Sequence, residues 1–186
     1  MPNIRDLQRS ELVLSIFAIV TFAVFFWLAR TNHQQILGPE GKYQLWLDIE
    51  QAANEGGLKP EFVYAICVAE STLNPRADSG YAKGVMQLSQ VAWKEVSDRP
   101  YSQAYNPKVN VEVGVAYLNH LKEFLEQNDS FSYPKLAASY RYGPYALKGK
   151  DFRVSRMQKP HNKIYQQLFA GNESPVTPPP EPTSEG

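Results

Sequence analysis

The sequence predicts a mainly α-helical domain set behind one N-terminal transmembrane helix. Three observations predict it: apolar residues recur at helical spacing through the middle of the chain, period-two strand patterns are nearly absent there, and an uncharged run of eighteen residues lies near the N-terminus. The chain has 186 residues. Residues 12–29 form the uncharged run, with 1–11 as a short segment before it and 30–41 as a linker after it. Residues 172–186 hold five prolines and three glutamates and almost nothing apolar, the composition of a disordered or extended tail that cannot offset the entropy of ordering. Residues 42–171 remain, a length that suits one domain with a single core and excludes a two-domain enzyme.

The apolar run, Leu12 to Ala29, contains only Ser15 and Thr21 as polar residues. As a helix it would rise about 27 Å, close to the ~30 Å of a bilayer's hydrocarbon. Trp27 near its end suits the interfacial belt, and a small-x-small cleavage pattern is missing where Trp27-Leu28-Ala29-Arg30 stands, so an uncleaved single-pass anchor is expected in place of a signal peptide. Arg5 and Arg9 before the run against Arg30 after it favour a globular part outside the cytoplasm.

Charge excludes one class of partner. The 19 basic and 19 acidic residues cancel, so no global field draws the chain to nucleic acid. Cys67 is the single cysteine, which excludes an internal disulfide and an all-cysteine metal site. His33, His120 and His161 share no short spacing, and neither a phosphate-cradling glycine loop nor a nucleophile elbow is present, so no cofactor is expected. Eleven tyrosines, all between Tyr43 and Tyr165, suit an amphipathic ligand such as a sugar chain and equally suit the rim of a core. From Arg141 to Lys163 seven basic residues face only Asp151, a strip that is either a solvated face or an attraction for anions.

The helices follow in order. Tyr43 to Asn54 puts Leu45, Ile49, Ala52 and Ala53 on one stripe, and Gly56-Gly57 stops it. A second opens at Pro60, carries Phe62, Val63, Ile66 and Ala69 on a shared face, and ends before Pro75. Gly114, Tyr117, Leu118, Leu121, Phe124 and Leu125 mark the clearest amphipathic helix, with Asn110 as its expected cap. Lys135–Tyr140 and Lys163–Phe169 read as two shorter helices.

Glu70 breaks the pattern. It falls seven positions after Val63 and four after Ile66, which places a carboxylate on the face its helix would bury. Out of water the neutral form is favoured, so such a group can hold a proton near neutral pH and act as an acid. The raised-pKa glutamate of lysozyme is the general worked case of that pattern. Position alone leaves open a helix-end glutamate that bends out to solvent.

The surrounding segments decide between the two. Residues 66–74 read ICVAESTLN, 84–89 read GVMQLS, 110–118 read NVEVGVAYL and 139–144 read SYRYGP. In that order and at those gaps the chain, from about Tyr43 to Phe169, resembles the SLT-type lytic transglycosylases, lysozyme-like domains that cleave the glycan strands of bacterial peptidoglycan. The resemblance implies a lysozyme-like helical fold, Glu70 as the catalytic acid and base, and substrate binding by Ser71, Met86, Gln87, Tyr117 and Tyr140. Ser71 would position the acid or the substrate's N-acetyl group, Met86 would form groove wall, Gln87 would contact sugar, and the Tyr140 hydroxyl would steer Glu70. Asn110 and Gly114 would serve as a helix cap and a close helix approach. Ser139 and Arg141 depart from the alanine and asparagine that flank the tyrosine in the family. Arginine cannot accept a hydrogen bond, so Arg141 cannot reproduce the asparagine's contact, and substrate preference is where that departure is expected to tell.

What the resemblance implies is non-hydrolytic cleavage of the MurNAc–GlcNAc β-1,4 bond to 1,6-anhydro ends, by a bacterial inner-membrane protein whose domain faces the periplasm. Peptidoglycan and the membrane are then its partners, and the proline-rich tail is a spacer or a site for a protein partner. Two alternatives stand beside it: a goose-type lysozyme-like hydrolase, with Asp78 as a second carboxylate holding water, and a catalytically weak peptidoglycan-binding scaffold. Cys67, three residues before Glu70, reads as a small buried hydrophobe.

Overall fold

The computed structural model describes residues 37–183. The expected membrane-spanning run at 12–29 lies outside the described residues, and among those described no helix is long and apolar enough to cross a membrane.

Prolines start the helices. α1 (Pro39–Glu55), α2 (Pro60–Ser71), α4 (Pro107–Glu126), α5 (Tyr133–Tyr142) and α6 (Pro144–Lys148) each carry proline in the first turn, where its missing N–H leaves no helical bond unmade. α3 (Gln90–Val96) and α7 (Lys163–Phe169) instead begin at side-chain caps, Ser89 accepting from the Ala92 N–H and Asn162 accepting from those of Ile164 and Tyr165. Two short 3₁₀ turns, Tyr101–Tyr105 and Val154–Arg156, complete the helical part. Between α2 and α3 lies a two-stranded antiparallel hairpin, β1 (Ala82–Lys83) with β2 (Leu88–Ser89), in register Ala82 to Ser89 and Lys83 to Leu88.

α4 runs through the middle, with α1, α3 and α5 packed on it. Its buried face includes Val111, Gly114, Val115, Leu118, Leu121 and Leu125; of the stripe expected from sequence, Gly114, Leu118, Leu121 and Leu125 lie there, while Tyr117 and Phe124 are only partly buried. Asn106, not Asn110, caps it, its side chain accepting from the Val109 N–H. The expected cap falls in the helix's first turn and is fully buried. There it serves another element: its Oδ1 accepts from the Met86 N–H at 2.8 Å, and its Nδ2 donates to the carbonyls of Ala104 at 3.0 Å and Lys83 at 3.2 Å. α2 is buried from Phe62 through Cys67, more than the single stripe the spacing suggested, because α1 and α7 both pack on it.

The turn joining the two strands is tightly packed. Gly84 has φ 79°, and a Cβ there would stand 2.1 Å from the Ala104 carbonyl oxygen. Gly114 leaves room for Met86, whose Sδ would stand 2.1 Å from an added Cβ. Gly114 thus admits a thioether into the core; it is not a point of close helix approach.

The tail departs from expectation at its start. Residues 172–183 form no helix or strand, yet Glu173 pairs with Lys59 and Val176 packs on the core. The basic strip is broken up as well: Arg153 and Arg156 both pair with Asp151, Lys148 lies over the Phe124 ring, and Arg141 turns towards Glu70.

Two stability predictions follow from this packing. Gly84→Ala should cost at least about 2 kcal/mol, from the strained φ together with the carbonyl clash, read as a lowered urea midpoint. Ser139 is fully buried and its hydroxyl has no hydrogen-bond partner among the described residues. Ser139→Ala should therefore raise stability by about 1 kcal/mol, seen as a higher melting temperature.

Candidate active site

Glu70 occupies the last turn of α2, where a buried helix reaches the surface of a cleft. Its side chain is 11% exposed. The helix ends directly after Ser71, with Thr72 and Leu73 both in the left-handed region at φ 56° and 63°. That sharp exit turns the chain away and leaves the carboxylate at the end of the helix, facing the cleft.

Among the described residues, two side chains bond or pair with the carboxylate. The Tyr165 hydroxyl donates to Oε1, and the Arg141 guanidinium comes within 3.6 Å of Oε2 through Nη1. Tyr165 reaches Glu70 because Asn162 fastens α7 to α2: its Oδ1 caps α7 while its Nδ2 donates to the Ala69 carbonyl at 3.1 Å. Burial raises the Glu70 pKa above the ordinary glutamate value, and the Tyr165 hydrogen bond and the Arg141 charge work against it without cancelling it. Tyr165 is itself 1% exposed, and burial beside the Glu70 charge pushes its own pKa well up, so it stays protonated and donates.

The cleft has a volume of about 530 Å³. One wall comes from the hairpin and the residues around it, including Tyr81, Gln87 and Leu88; the other comes from Tyr117 and from Tyr140 to Gly143 at the end of α5. Tyr81 stands at the mouth, 77% exposed. Among the described residues lining the cleft, Glu70 is the one carboxylate. Asp78 is not in the lining; its Oδ1 accepts from the Gly80 N–H at 2.7 Å and its Oδ2 from the Tyr105 hydroxyl, which fixes the loop before β1.

The structure brings Glu70, Gln87, Tyr117 and Tyr140 to one cleft and keeps Ser71 and Met86 out of its lining. The Ser71 hydroxyl donates to the Val85 carbonyl at 2.7 Å and does not reach the acid. Met86 is fully buried against Gly114, a core residue and not groove wall. The Tyr140 hydroxyl donates to the Met86 carbonyl at 2.7 Å, so Tyr165 has the place beside Glu70 that was expected for Tyr140. Gln87 lies at φ 49° and its Nε2 donates to the Ala77 and Gly84 carbonyls, which leaves Oε1 for a ligand. Sequence reasoning missed Tyr165, which lies 95 residues from Glu70; the only local sign was a capping asparagine three positions before it. It also placed the effect of Arg141 on substrate preference more than on chemistry, whereas the guanidinium reaches the acid itself.

Three likenesses to known proteins bear on the site. The family model for the transglycosylase SLT domain matches residues 48–163. The Endo-type membrane-bound lytic murein transglycosylase A of Cronobacter sakazakii is 34% identical over 123 residues, which cover 59% of this chain and 60% of that protein. This chain thus spans about three-fifths of that relative's length. The X-ray structure of an inactive mutant of lytic transglycosylase Slt from Pseudomonas aeruginosa superposes with a TM-score of 0.51 at 22% identity, covering 69% of this chain and 21% of that one. At that identity the likeness speaks for the fold, mainly helical and lysozyme-like.

The electrostatics of Glu70 can be read without substrate. A carboxyl whose folded pKa lies above its unfolded value contributes no penalty below the unfolded value, and the full penalty once pH exceeds the folded one. Replacing it by Gln removes that penalty. The melting temperature of Glu70→Gln minus that of the wild type should therefore rise as pH goes from about 4 to about 8. A difference that instead falls with pH would mean Glu70 is ionised more easily folded than unfolded.

Proposed function

We propose that this chain, which belongs to the transglycosylase SLT domain family, is a peptidoglycan lytic transglycosylase with Glu70 as its one acid and base. The observation that carries the proposal is a nearly dry glutamate held by Tyr165 on the floor of a cleft that it shares with no second carboxylate among the described residues.

Ordinary glycosidases set two carboxyl groups about the scissile bond, one as acid and one as base or nucleophile. With one, the attacking group has to come from the substrate. Protonated Glu70 gives its proton to the oxygen joining MurNAc to GlcNAc, and the C1–O bond breaks as the GlcNAc hydroxyl leaves. The N-acetyl carbonyl of MurNAc supports the cationic C1. Glu70, now a carboxylate, takes the proton of the C6 hydroxyl as that oxygen bonds to C1. The product is a 1,6-anhydro ring, the acid is restored, and no water is consumed. Tyr165, bonded to Oε1, fixes the carboxyl so that Oε2 carries the proton into the cleft. Tyr81, Tyr117 and Tyr142 offer ring faces to sugars, and Gln87 offers its carbonyl oxygen. Hydrolysis would need a water held opposite Glu70, and Asp78, the residue considered for it, is engaged by Gly80 and Tyr105.

The relative's name describes it as membrane-bound, which supports an anchor at 12–29. We extend the proposal to a domain at about 42–171 held on the periplasmic side of the bacterial inner membrane, with the tail free to meet a partner beyond its contacts at Glu173 and Val176.

Mass analysis of sacculi digested by the detergent-solubilised full chain tests the reaction. Anhydromuropeptides should appear, lighter by one water than hydrolytic products, and Glu70→Gln should lower their release by about 10²–10⁴-fold or more. Products bearing the extra water would establish a hydrolase, and none at all a scaffold.

A second prediction concerns pH. Glu70 must start protonated, so activity should be lost as pH rises through its raised pKa. Tyr165→Phe removes a donor that favours the carboxylate, so this alkaline limb should move to higher pH while the maximal rate drops. An unmoved limb would leave Tyr165 a packing residue only.

A further inference from the structure

We infer that Arg141 is a carboxylate-binding residue that rests on Glu70 in the free protein and passes to a carboxylate of the glycan when substrate enters. The inference rests on the lytic transglycosylase reading of the site and adds to it the substrate group that Arg141 recognises.

Arg141 sits in the last turn of α5 at the cleft wall, with its side chain 46% exposed. Its Nη1 stands 3.6 Å from Glu70 Oε2, beyond the roughly 2.7–2.9 Å of a charge-assisted hydrogen bond. The hydrogen bond to Glu70 comes from Tyr165 instead. Arg141 is therefore attracted to the acid but loosely held, and a guanidinium has five N–H donors in a fork matched to a carboxylate. Its Cζ lies 5.5 Å from the Tyr165 ring centroid, a surface along which a flat cation can slide, while Tyr140 anchors the adjacent backbone through Met86. No other carboxylate among the described lining residues competes for it.

The substrate supplies the anion. The MurNAc ring whose C1–O bond breaks carries a lactyl ether at C3; its carboxylate is free on peptide-free strands, and on peptide-bearing strands the attached peptide brings carboxylates of its own. Either would draw the fork away from Oε2. The groups facing Glu70 are Arg141 and Tyr140 from α5, Tyr165 from α7 and Cys67 from its own helix, and Arg141 is the cation among them. Its departure removes the charge that favours the carboxylate, so the Glu70 pKa rises further, and its proton is held to higher pH, once a substrate carboxylate has arrived.

The test uses the full chain in detergent on peptide-free glycan strands and on peptide-bearing sacculi, each untreated and with carboxyl groups converted to methylamides by methylamine with a carbodiimide. Wild-type kcat/KM for anhydro product should fall about tenfold or more on amidation of at least one substrate. A fall confined to peptide-free strands assigns the lactyl group, and one confined to peptide-bearing sacculi the peptide. Arg141→Gln should cleave untreated and amidated substrate alike. In the wild type the alkaline limb of kcat, set by the complex, should lie above that of kcat/KM, set by the free enzyme; in Arg141→Gln the two should coincide. Wild-type indifference to amidation, retention of wild-type sensitivity by Arg141→Gln, or coincident limbs in the wild type would each overturn the inference. If the wild type releases no anhydro product from any substrate, the activity reading fails by itself. Cosedimentation of Glu70→Gln with the same four substrates then reads the contact directly: weaker binding after amidation upholds it, and equal binding overturns it.

Discussion

The site depends on one buried turn whose backbone satisfies only part of its own hydrogen bonding. Between β1 and β2 the chain runs Gly84-Val85-Met86-Gln87, all but Gln87 buried, and a buried N–H or carbonyl without a partner is costly. Three side chains on three helices supply the partners. Ser71 from α2 donates to the Val85 carbonyl, Tyr140 from α5 donates to the Met86 carbonyl, and Asn110 from α4 accepts from the Met86 N–H while donating to the Lys83 carbonyl. The turn is thereby tied to the three helices that also bear Glu70, Tyr117 and Arg141. Fixing its backbone fixes the width of the cleft, because the hairpin is one wall and residues of those helices are the floor and the other wall.

The acid is set by a contest with an identifiable winner. Burial opposes the charge on Glu70, while a hydroxyl and a guanidinium favour it. The hydroxyl is neutral and the guanidinium is half exposed, so solvent screens the cation more than it wets the carboxylate, and the proton-bearing form gains. Each opponent does a second task. Tyr165 fixes the orientation of the carboxyl, and Arg141 is positioned to leave. An acid that is partly neutralised at rest by a movable cation needs no large conformational change to be armed.

Much of the scaffold was legible in the sequence, because the buried faces of α1 and α4 repeat at helical spacing and proline marks the start of most helices. Glu70 was legible too, as a carboxylate at a position where its helix should be apolar. The hairpin was not: each strand has two residues, too short for alternation to register. Nor were the roles of Ser71, Asn110 and Tyr140, since a side chain that bonds a distant backbone carbonyl leaves no local pattern. Asn110 shows the difficulty well. It lies near a helix start and has the chemistry of a cap, yet the residue that caps the helix is Asn106, four residues earlier and just before Pro107. Tyr165 could only be found once α7 was folded onto α2.

The end of α5 shows how one helical turn separates scaffold from chemistry. Successive residues point about 100° apart, so Ser139, Tyr140 and Arg141 face three different surroundings. Ser139 points into the core, where its hydroxyl finds no partner. Tyr140 points at the hairpin turn and holds it. Arg141 points into the cleft and reaches Glu70. Of the three, only Tyr140 supports the cleft's geometry, so its neighbours can differ from the pattern this sequence otherwise resembles without loosening the wall. Ser139 then costs stability alone, and Arg141 changes the charge beside the acid alone. A departure at position 141 is for that reason a change in what the site recognises and when its proton is available, made on a scaffold that stays as it was.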